Sequence, residues 1–473
     1  MSSPPNTRCA PKRSRTERGS ALIAVLLIAA IIALFAAHLL KRAVLEEQLA
    51  SRGVAQSVAA NLAEAGIEDA LFAANNSYFN STYGWSTASD SATAKVKTTT
   101  GLALSQGTGE IYLRVDSYAS SSSPTIIALG VVRPPSGAVI VKQLRCVIVK
   151  RSTWSNGMVS KGAVTFSGNA TVDSYDSSLG VYNASTNRSD QATVASDSTA
   201  LDPVVLNSNA TIYGYVATGG AAPTVSSNGR VYGATSPANP NVDPSRVRTD
   251  FNQNIPDATA PTVAATSLGS VNSSTSLPRI GDLPGTDGRY HYTASSLSLN
   301  GHDVISVTGP VDLTVTGNIA LTGNGEISIG GGGSVNPSLN IYAAGSVSLG
   351  GNGMLNQTNV PGNTALYGTA PSGTTQSITV TGNGEFIGAI YAPNATVSLT
   401  GNGAVNGAVI ANTITLGGSG VFHYDVHLGV TGTSTDSTAD RYYRPDTWLE
   451  LTDKAGTGTT FARDNRVPFN TVL

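Results

Sequence analysis

The first strong pattern along the chain is an apolar run. Residues 21–40 are apolar except for His38, and basic residues flank them: Arg18 before, Lys41 and Arg42 after. As a helix this run is about 30 Å long, which is the thickness of the hydrocarbon core of a bilayer. A secretory signal peptide has a shorter apolar region that ends in small residues. The pattern therefore predicts a membrane-spanning helix that is retained, with its ends at Ala21 and Leu40.

The helical pattern continues beyond the apolar run. Good helix formers extend to Asn75, and apolar residues recur mostly at three- and four-residue steps: Val44, Leu45, Leu49, Val54, Val58, Leu62, Ile67 and Leu71. We predict one helix over 20–76, with a first half in the membrane and a second half as a stem. Five basic residues and a single acid precede the run. The positive-inside rule then places the N-terminus in the cytoplasm and the rest of the chain in the periplasm.

The start of this helix resembles a known signal. "ERGSALIAVLL" resembles a type IV prepilin leader, and "NLAEAGIEDALFAANN" resembles the second half of the helix in minor pilins of the PilX type. The resemblance implies a leader over 1–19, cut between Gly19 and Ser20 by prepilin peptidase. It implies other pilins or pilus assembly proteins as partners, at the inner membrane of a Gram-negative bacterium or in extracellular pili. Ala24 stands where major pilins carry Glu, which favours a minor subunit. The alternative is a single-span anchor that is never processed.

After the helix, apolar and polar residues roughly alternate. "GEIYLRVDSYA", "PTIIALGVV" and "GAVIVKQLRCVIVKR" are typical of strands, and "SSSSP" and "RPPSG" are typical of turns between them. We predict an antiparallel β meander over 77–153 beside the helix. Cys146 in its last strand is expected to be a buried small apolar residue.

From Trp154 onward, short alternating strands recur next to Gly-Asn or Ser-Asn corners, with a period of about 20 residues. Asn and Gly tolerate the left-handed backbone that sharp corners need. We predict a β-solenoid over 154–428, specifically a right-handed parallel β-helix, with a Pro-rich loop over 235–290 and a capping tail over 429–473. The alternative is a β-sandwich. The fold class is thus mainly β with a long N-terminal helix. A ladder of corner side chains is predicted at Asn324, Asn352, Asn383 and Asn402. Inward-facing residues are predicted at Ile327, Ile329, Val347, Leu349, Ile378, Val380, Val397, Leu399, Ile414 and Leu416.

The composition disfavours several function classes. Only 12% of residues are charged, the net charge is −2, and no basic stripe follows residue 42, so nucleic acid is not an expected partner. Cys9 and Cys146 lie on opposite sides of the apolar run and cannot build a disulfide framework or a Cys-based metal site. The repeats hold too few ionisable groups for an obvious active site. We therefore expect no enzyme and no cofactor.

One segment, "FHYDVHL", is a candidate metal site. His423, Asp425 and His427 share a face if the segment is a strand, because side chains alternate. In a straight strand the first and last of them lie ~13 Å apart, too far for one metal ion to bind both. A hydrogen-bonded end of the last coil is the favoured interpretation, and no metal is expected.

Thr-x-Thr and Thr-x-Ser rows, as in "SITVTG", "TVSLTG" and "TITLGG", predict a flat polar face. Such a face could bind carbohydrate, ice or another protein, or it could simply be solvated. The expected function is that of a minor pilin-like structural component whose solenoid head is exposed for interaction or adhesion. The alternative is a membrane-tethered β-helix that binds polysaccharide or a surface ligand and has no pilus role.

Overall fold

The computed structural model describes residues 17–105, 107–118, 123–135, 137–233, 241–381, 386–401, 404–434, 442–454 and 457–472. Within these ranges the chain is mainly β, with one long N-terminal helix. Its contacts divide it into two compact units. The first comprises Met1–Val149 with Tyr443–Leu473, and the second comprises Lys150–Tyr442. The second unit is therefore an insertion in the chain of the first.

The long N-terminal helix of the predicted fold class is confirmed: helix α1 runs over Glu17–Asn76 in one piece. Small residues form the buried stripe of its second half: Ala55, Ala59, Ala63, Ala70 and Ala73, together with Ile67. These small side chains let the helix lie close to a sheet. A Cβ at Gly130 would come within 2.0 Å of the Ala59 carbonyl oxygen, so a glycine is required at the point of closest approach.

That sheet belongs to the first unit and is antiparallel. Its first five strands are β1 Ser86–Ala88, β2 Ser91–Leu104, β3 Gly107–Asp116, β4 Thr125–Arg133 and β5 Ile140–Arg151. Each strand pairs with its chain neighbour. Strands β3, β4 and β5 cover the three segments that the sequence pattern assigned to strands, whereas β1 and β2 were not singled out by that pattern. Cys146 is fully buried, as predicted, and burial raises the pKa of its thiol to about 11.

The second unit is a solenoid-like stack of short parallel strands. The strand pairings are parallel, except that of β8 with β9. A short helix α2, Val426–Thr431, follows the last strand. The strands are β6 Met158–Ser160, β7 Val164–Phe166, β8 Thr171–Tyr175, β9 Arg188–Ser189, β10 Ala192–Ser196, β11 Val204–Leu206, β12 Thr211–Thr218, β13 Thr224–Val225, β14 Arg230–Tyr232, β15 Val247–Arg248, β16 Thr266–Val271, β17 Thr275–Leu277, β18 Tyr290–Leu299, β19 Val304–Val307, β20 Pro310–Val315, β21 Ile319–Leu321, β22 Glu326–Ile329, β23 Ser338–Ala343, β24 Val347–Leu349, β25 Gly353–Asn356, β26 Thr364–Gly368, β27 Gln376–Val380, β28 Phe386–Gly401, β29 Ala404–Gly418 and β30 Val421–Asp425.

The inward rows match the sequence pattern. Nine of the ten predicted inward residues are buried, and Val380 packs against the same core at its edge. The parallel pairing excludes the β-sandwich alternative, since sandwich sheets are antiparallel. Right-handedness of the solenoid stays a prediction.

The coils do not stack in chain order. The first coil (β6, β7, β8) pairs on one side with the second coil, through β10, β11 and β12. On its other side it pairs with the last coil, through β29 and β30. From β6 to β14 the chain forms three coils, which stack away from the first coil on one side. A second run of coils begins with β16, at the opposite end of the stack. This second run proceeds toward the first coil and ends against its other side with β29 and β30. We call the joint between the first and last coils the seam.

Residues 249–265 carry the chain between these two runs of coils. Phe251 N donates to Thr218 O over 2.9 Å, and Tyr391 Oη donates to Pro256 O over 2.7 Å. The segment thus crosses several coils on their outer side, as expected for the Pro-rich loop. The predicted bounds 235–290 are wrong, because β15, β16 and β17 fall within them and pair as regular strands.

The predicted capping role of the tail 429–473 is also wrong for its second half. Strand β31, Tyr442–Leu451, is the neighbour of β5 in the antiparallel sheet. Leu451 and Phe469 are buried against Ile127, Leu129 and Val131 of β4. The other side of β4 faces α1, so this strand is buried on both faces and needs the tail as a cover.

Candidate functional site

The first candidate site is the bare half of α1. Large apolar side chains from Leu22 to Leu40 are 44–71% exposed, and the helix is long and apolar enough to cross a membrane. The exposed apolar surface continues past that length, through Val44, Leu45, Leu49 and Val54. Burial begins at Ala55, where the helix meets the sheet. Gly19 and Ser20 lie in the backbone of α1, and the side chains up to Ala21 are outside the described part.

The second candidate site is an outer face of the solenoid that we call the hydroxyl face. It is formed by the outward side chains of one strand from each of nine successive coils. Its central row, in order of pairing, is Ser298, Ala320, Ser348, Thr379, Ser398, Thr415, Thr165, Val205 and Thr224. All nine are exposed or half-exposed, and none is charged or aromatic.

The neighbouring positions extend this face. Ser377, Thr396 and Thr413 lie side by side in the next row, and Thr413 Oγ1 donates to Thr396 Oγ1 over 3.1 Å. Paired strands are ~4.8 Å apart, so the hydroxyl and methyl groups repeat at that spacing. The inward neighbours Val397 and Ile414 are buried and hold the strands in register. The result is a rigid, uncharged array of small side chains.

A different outer row is covered. Tyr342, Tyr367 and Tyr391 are successive outward residues of β23, β26 and β28. The first two rings stack at 4.9 Å, and the third bonds to the crossing segment through Pro256 O. This aromatic row is therefore part of the packing and not a free platform for a ligand.

The predicted corner ladder is only partly described. Asn324 Nδ2 lies 3.3 Å from His302 Nε2, and Asn352 Nδ2 donates to Glu326 Oε2 over 3.4 Å. These two residues therefore contact other residue types instead of each other. Asn383 and Asn402 lie outside the described residues. A true Asn pair occurs at the corners of the first two coils, where Asn209 Nδ2 donates to Asn169 Oδ1 over 2.9 Å.

The candidate metal residues do not form one shared site. His423 of β30 contacts Asp173 of β8 across the seam, and the Tyr182 ring stacks on its imidazole. Asp425 accepts hydrogen bonds from Ser177 N and Oγ, and from His427 N at the start of α2. The strand ends at Asp425, so the alternation that placed all three on one face does not reach His427. Burial raises the pKa of Asp425.

The sequence pattern missed the partners of His423. Asp173 Oδ2 accepts from Tyr182 Oη over 2.8 Å, and Arg188 Nε lies 2.8 Å from the same oxygen. Burial and the Asp173 carboxylate raise the pKa of Tyr182. The pairing of His423 with Asp173 joins residues from opposite ends of the solenoid chain. Only knowledge of the coil order would have revealed it.

Comparison with known proteins gives a family match for part of the solenoid. The model of a family described as "Domain of unknown function (DUF7305)" matches residues 238–430, less than half of the chain. No curated protein matches the chain significantly.

Two solved structures are similar to parts of the chain. A DUF3494 domain of ice-binding protein 1 from Shewanella frigidimarina is 14% identical, with a TM-score of 0.24, over 57% of this chain and 95% of that one. The competence-associated pilin ComZ from Thermus thermophilus is 11% identical, with a TM-score of 0.18, over 84% of this chain and 98% of that one. Both TM-scores are low, so neither likeness shows a shared fold.

Proposed function

We propose that this protein is a minor pilin-like structural component of a type IV pilus or a related assembly system. In this proposal α1 anchors the chain in the inner membrane of a Gram-negative bacterium and packs among the helices of other pilins. The solenoid is exposed in the periplasm or on the pilus for interaction or adhesion.

The observation that carries the proposal is the division of α1 into two halves. One continuous helix has an apolar half without cover and an alanine-lined half packed on an antiparallel sheet. Exposed apolar residues continue from Val44 to Val54, beyond the length that a bilayer core would cover. A helix that only anchors the chain would leave this apolar surface exposed to water, whereas a helix packed among similar helices would bury it.

Intact-mass and N-terminal analysis of the protein from native membranes tests this proposal. We expect a mature chain that begins at Ser20, and a Gly19→Val variant that keeps residues 1–19. A wild-type chain that retains the leader would overturn the pilin-like assignment. Sheared filaments, probed for the mature chain, are the next sample to examine.

A second candidate function rests on the hydroxyl face. A rigid, uncharged array of small side chains suits an ordered neutral surface, such as an insoluble polysaccharide, better than an acidic polymer or a phosphate-rich one. In this alternative the protein is a tethered binding module without a pilus role.

Sedimentation of the full-length protein in detergent with cellulose or chitin tests the second candidate. Thr379→Lys and Thr415→Lys place charges in the central row and should abolish binding. Leu179→Lys, at a side chain 75% exposed in the turn after β8 and outside the strands of the hydroxyl face, is the matched control. Equal retention of all three variants, or no retention of the wild type, would contradict a polysaccharide ligand. Ice-affinity purification of the same wild type and variants tests ice as a different ordered surface.

A further inference from the structure

A cluster of side chains outside both candidate sites lies on the outer side of β18, β20 and β23. The strand register places His291, Asp312 and Asn340 side by side on three successive coils. The turn before β18 adds Asp287 to this row, and its carboxylate accepts from Arg289 N within the turn. Gly288 in the same turn has a left-handed conformation. No single stretch of sequence contains the cluster, because its members come from three coils.

The imidazole of His291 lies between two carboxylates. Its Nε2 is 3.0 Å and 3.1 Å from the two carboxylate oxygens of Asp287, and its Nδ1 is 3.4 Å from Asp312 Oδ2. One ligand atom from each of the three residues lies within 4.8 Å of the others. His291 and Asp312 are almost fully buried, whereas Asp287 is 47% exposed, which leaves an open side toward solvent.

A buried amide borders this cluster and is incompletely paired. Asn340 is fully buried, and its Nδ2 donates to Asp312 Oδ1 over 2.8 Å. Its Oδ1 has no hydrogen-bond partner within the described ranges. A buried amide oxygen without a hydrogen-bond partner is unusual, since such atoms are normally paired.

The space beside the imidazole is kept open by a glycine. A Cβ at Gly285 would lie 3.0 Å from Asp287 Oδ1 and 3.2 Å from His291 Nε2. The φ of Gly285 is not in the left-handed region, so the backbone alone does not require glycine there. What glycine provides at this position is therefore open space beside the His291 imidazole.

We propose that Asp287, His291 and Asp312 bind a divalent transition-metal ion, with Asn340 holding Asp312 in place through the other carboxylate oxygen. Imidazole is a ligand of zinc and similar metals, and carboxylate oxygens are ligands that manganese also accepts. The mixed set therefore favours Zn²⁺ or Mn²⁺ over Ca²⁺ and Mg²⁺, which prefer oxygen alone. Arg289 does not block the site, because its Nε holds Asp312 Oδ1 at 2.7 Å and leaves Oδ2 on the His291 side.

Titration calorimetry of the full-length, tag-free protein in detergent tests the proposal, with ZnCl₂, MnCl₂ and CaCl₂ as probes. We expect one equivalent of Zn²⁺ or Mn²⁺ to bind, with Ca²⁺ at least about tenfold weaker. His291→Ala should lower the affinity for Zn²⁺ by at least about tenfold, since even residues that only orient ligands cost 10- to 100-fold. His302→Ala, at a histidine bonded to Asn324 in the same coils, should leave it unchanged.

Gly285→Ala gives the sharpest arm, because it removes no ligand and no hydrogen bond of the cluster. It should lower the affinity less than His291→Ala does, because the added methyl group displaces the Asp287 carboxylate by only a few tenths of an ångström, while circular dichroism stays unchanged. If His291→Ala fails to fold, Asp287→Asn replaces it, because that side chain is half exposed. Absence of saturable binding, equal affinity for Zn²⁺ in wild type and His291→Ala, or a preference for Ca²⁺ would each overturn the proposal.

Discussion

The two units of this chain form their buried β-structure from different kinds of strand pairing. In the antiparallel unit, β1 to β5 pair with their chain neighbours, and α1 packs on the sheet that they form. In the solenoid, strands pair in parallel, one coil or more apart in sequence, and the first coil closes on the last. Strands β1 to β5 of the first unit pair locally, and only β31 and the tail come from a distant part of the chain. The second unit depends on a joint between the first and last coils.

This difference predicts how each unit responds to damage. A solenoid whose coils follow chain order can lose a terminal coil while its neighbours persist, because each repeat contacts only the next. Here the seam is internal: coils from residues 158–248 and coils from residues 266–425 meet at it. The seam should therefore control the whole stack, whereas a defect in the antiparallel unit should stay within that unit.

The largest effect is expected from Phe422→Ala. Phe422 is fully buried and lies in register with Val405 on one side and with Val172 across the seam on the other. Truncation should cost about 3–5 kcal/mol of the free energy of unfolding, as for other buried aromatic residues. Hydrogen exchange should rise through both runs of coils and remain unchanged in β1 to β5. An increase confined to 158–175 and 404–425 would contradict a cooperative seam.

The corresponding test in the antiparallel unit is Gly130→Ala. The new Cβ would overlap the Ala59 carbonyl and force α1 away from β4. We expect a loss of about 1–3 kcal/mol, typical of overpacking, with faster exchange in α1 and β4 only. Gly53→Ala is the matched control: no atom lies within 4 Å of its added Cβ. It should stabilise the helix by roughly 0.5–1 kcal/mol, because Ala is the better helix former.

The features that sequence patterns predicted are those with a local cause. The end of α1, the strands β3 to β5 and the inward rows of the solenoid follow from periodicity within one element. The apolar run "TIIALGVV" of β4 also reflects burial on both faces, although the pattern did not reveal what covers the second face. That cover is the tail, from the other end of the chain.

The features that sequence patterns missed depend on register between distant segments. Adjacency of His423 and Asp173 requires the seam, and adjacency of His291 and Asp312 requires the coil step from β18 to β20. The predicted metal residues failed because the strand ends at Asp425 and the following residues form α2. The hydroxyl face was foreseeable from Thr-x-Thr rows, since alternation within a strand sets which side chains point outward.

The smallest expected effect is that a fall in pH changes the stability of the two units in opposite directions. In the antiparallel unit, the Arg114 guanidinium lowers the pKa of Asp90, to which its Nη1 donates over 2.8 Å. The unfolded state then binds more protons, so this contribution to stability is complete above the ordinary pKa of about 3.9 and is lost as the pH falls below it. At the seam, burial raises the pKa of Asp425. There the folded state binds more protons, and the contribution is lost as the pH rises from about 4 through the raised pKa.

Hydrogen exchange at a series of pH values, corrected for the intrinsic exchange rate, separates the two contributions. As the pH falls toward about 4, protection of the seam strands β8 and β30 should increase relative to that of Asp425→Asn, which cannot titrate at this position. Protection of β2 and β3 should hold through this range and fall only below about pH 4, and Asp90→Asn should remove part of that fall. A seam that loses protection together with β2 and β3 on acidification would show that Asp425 is held ionised by Ser177 and His427 N. The hydrogen bonds to its carboxylate would then outweigh its burial, and the contrast between the two units would be one of topology alone.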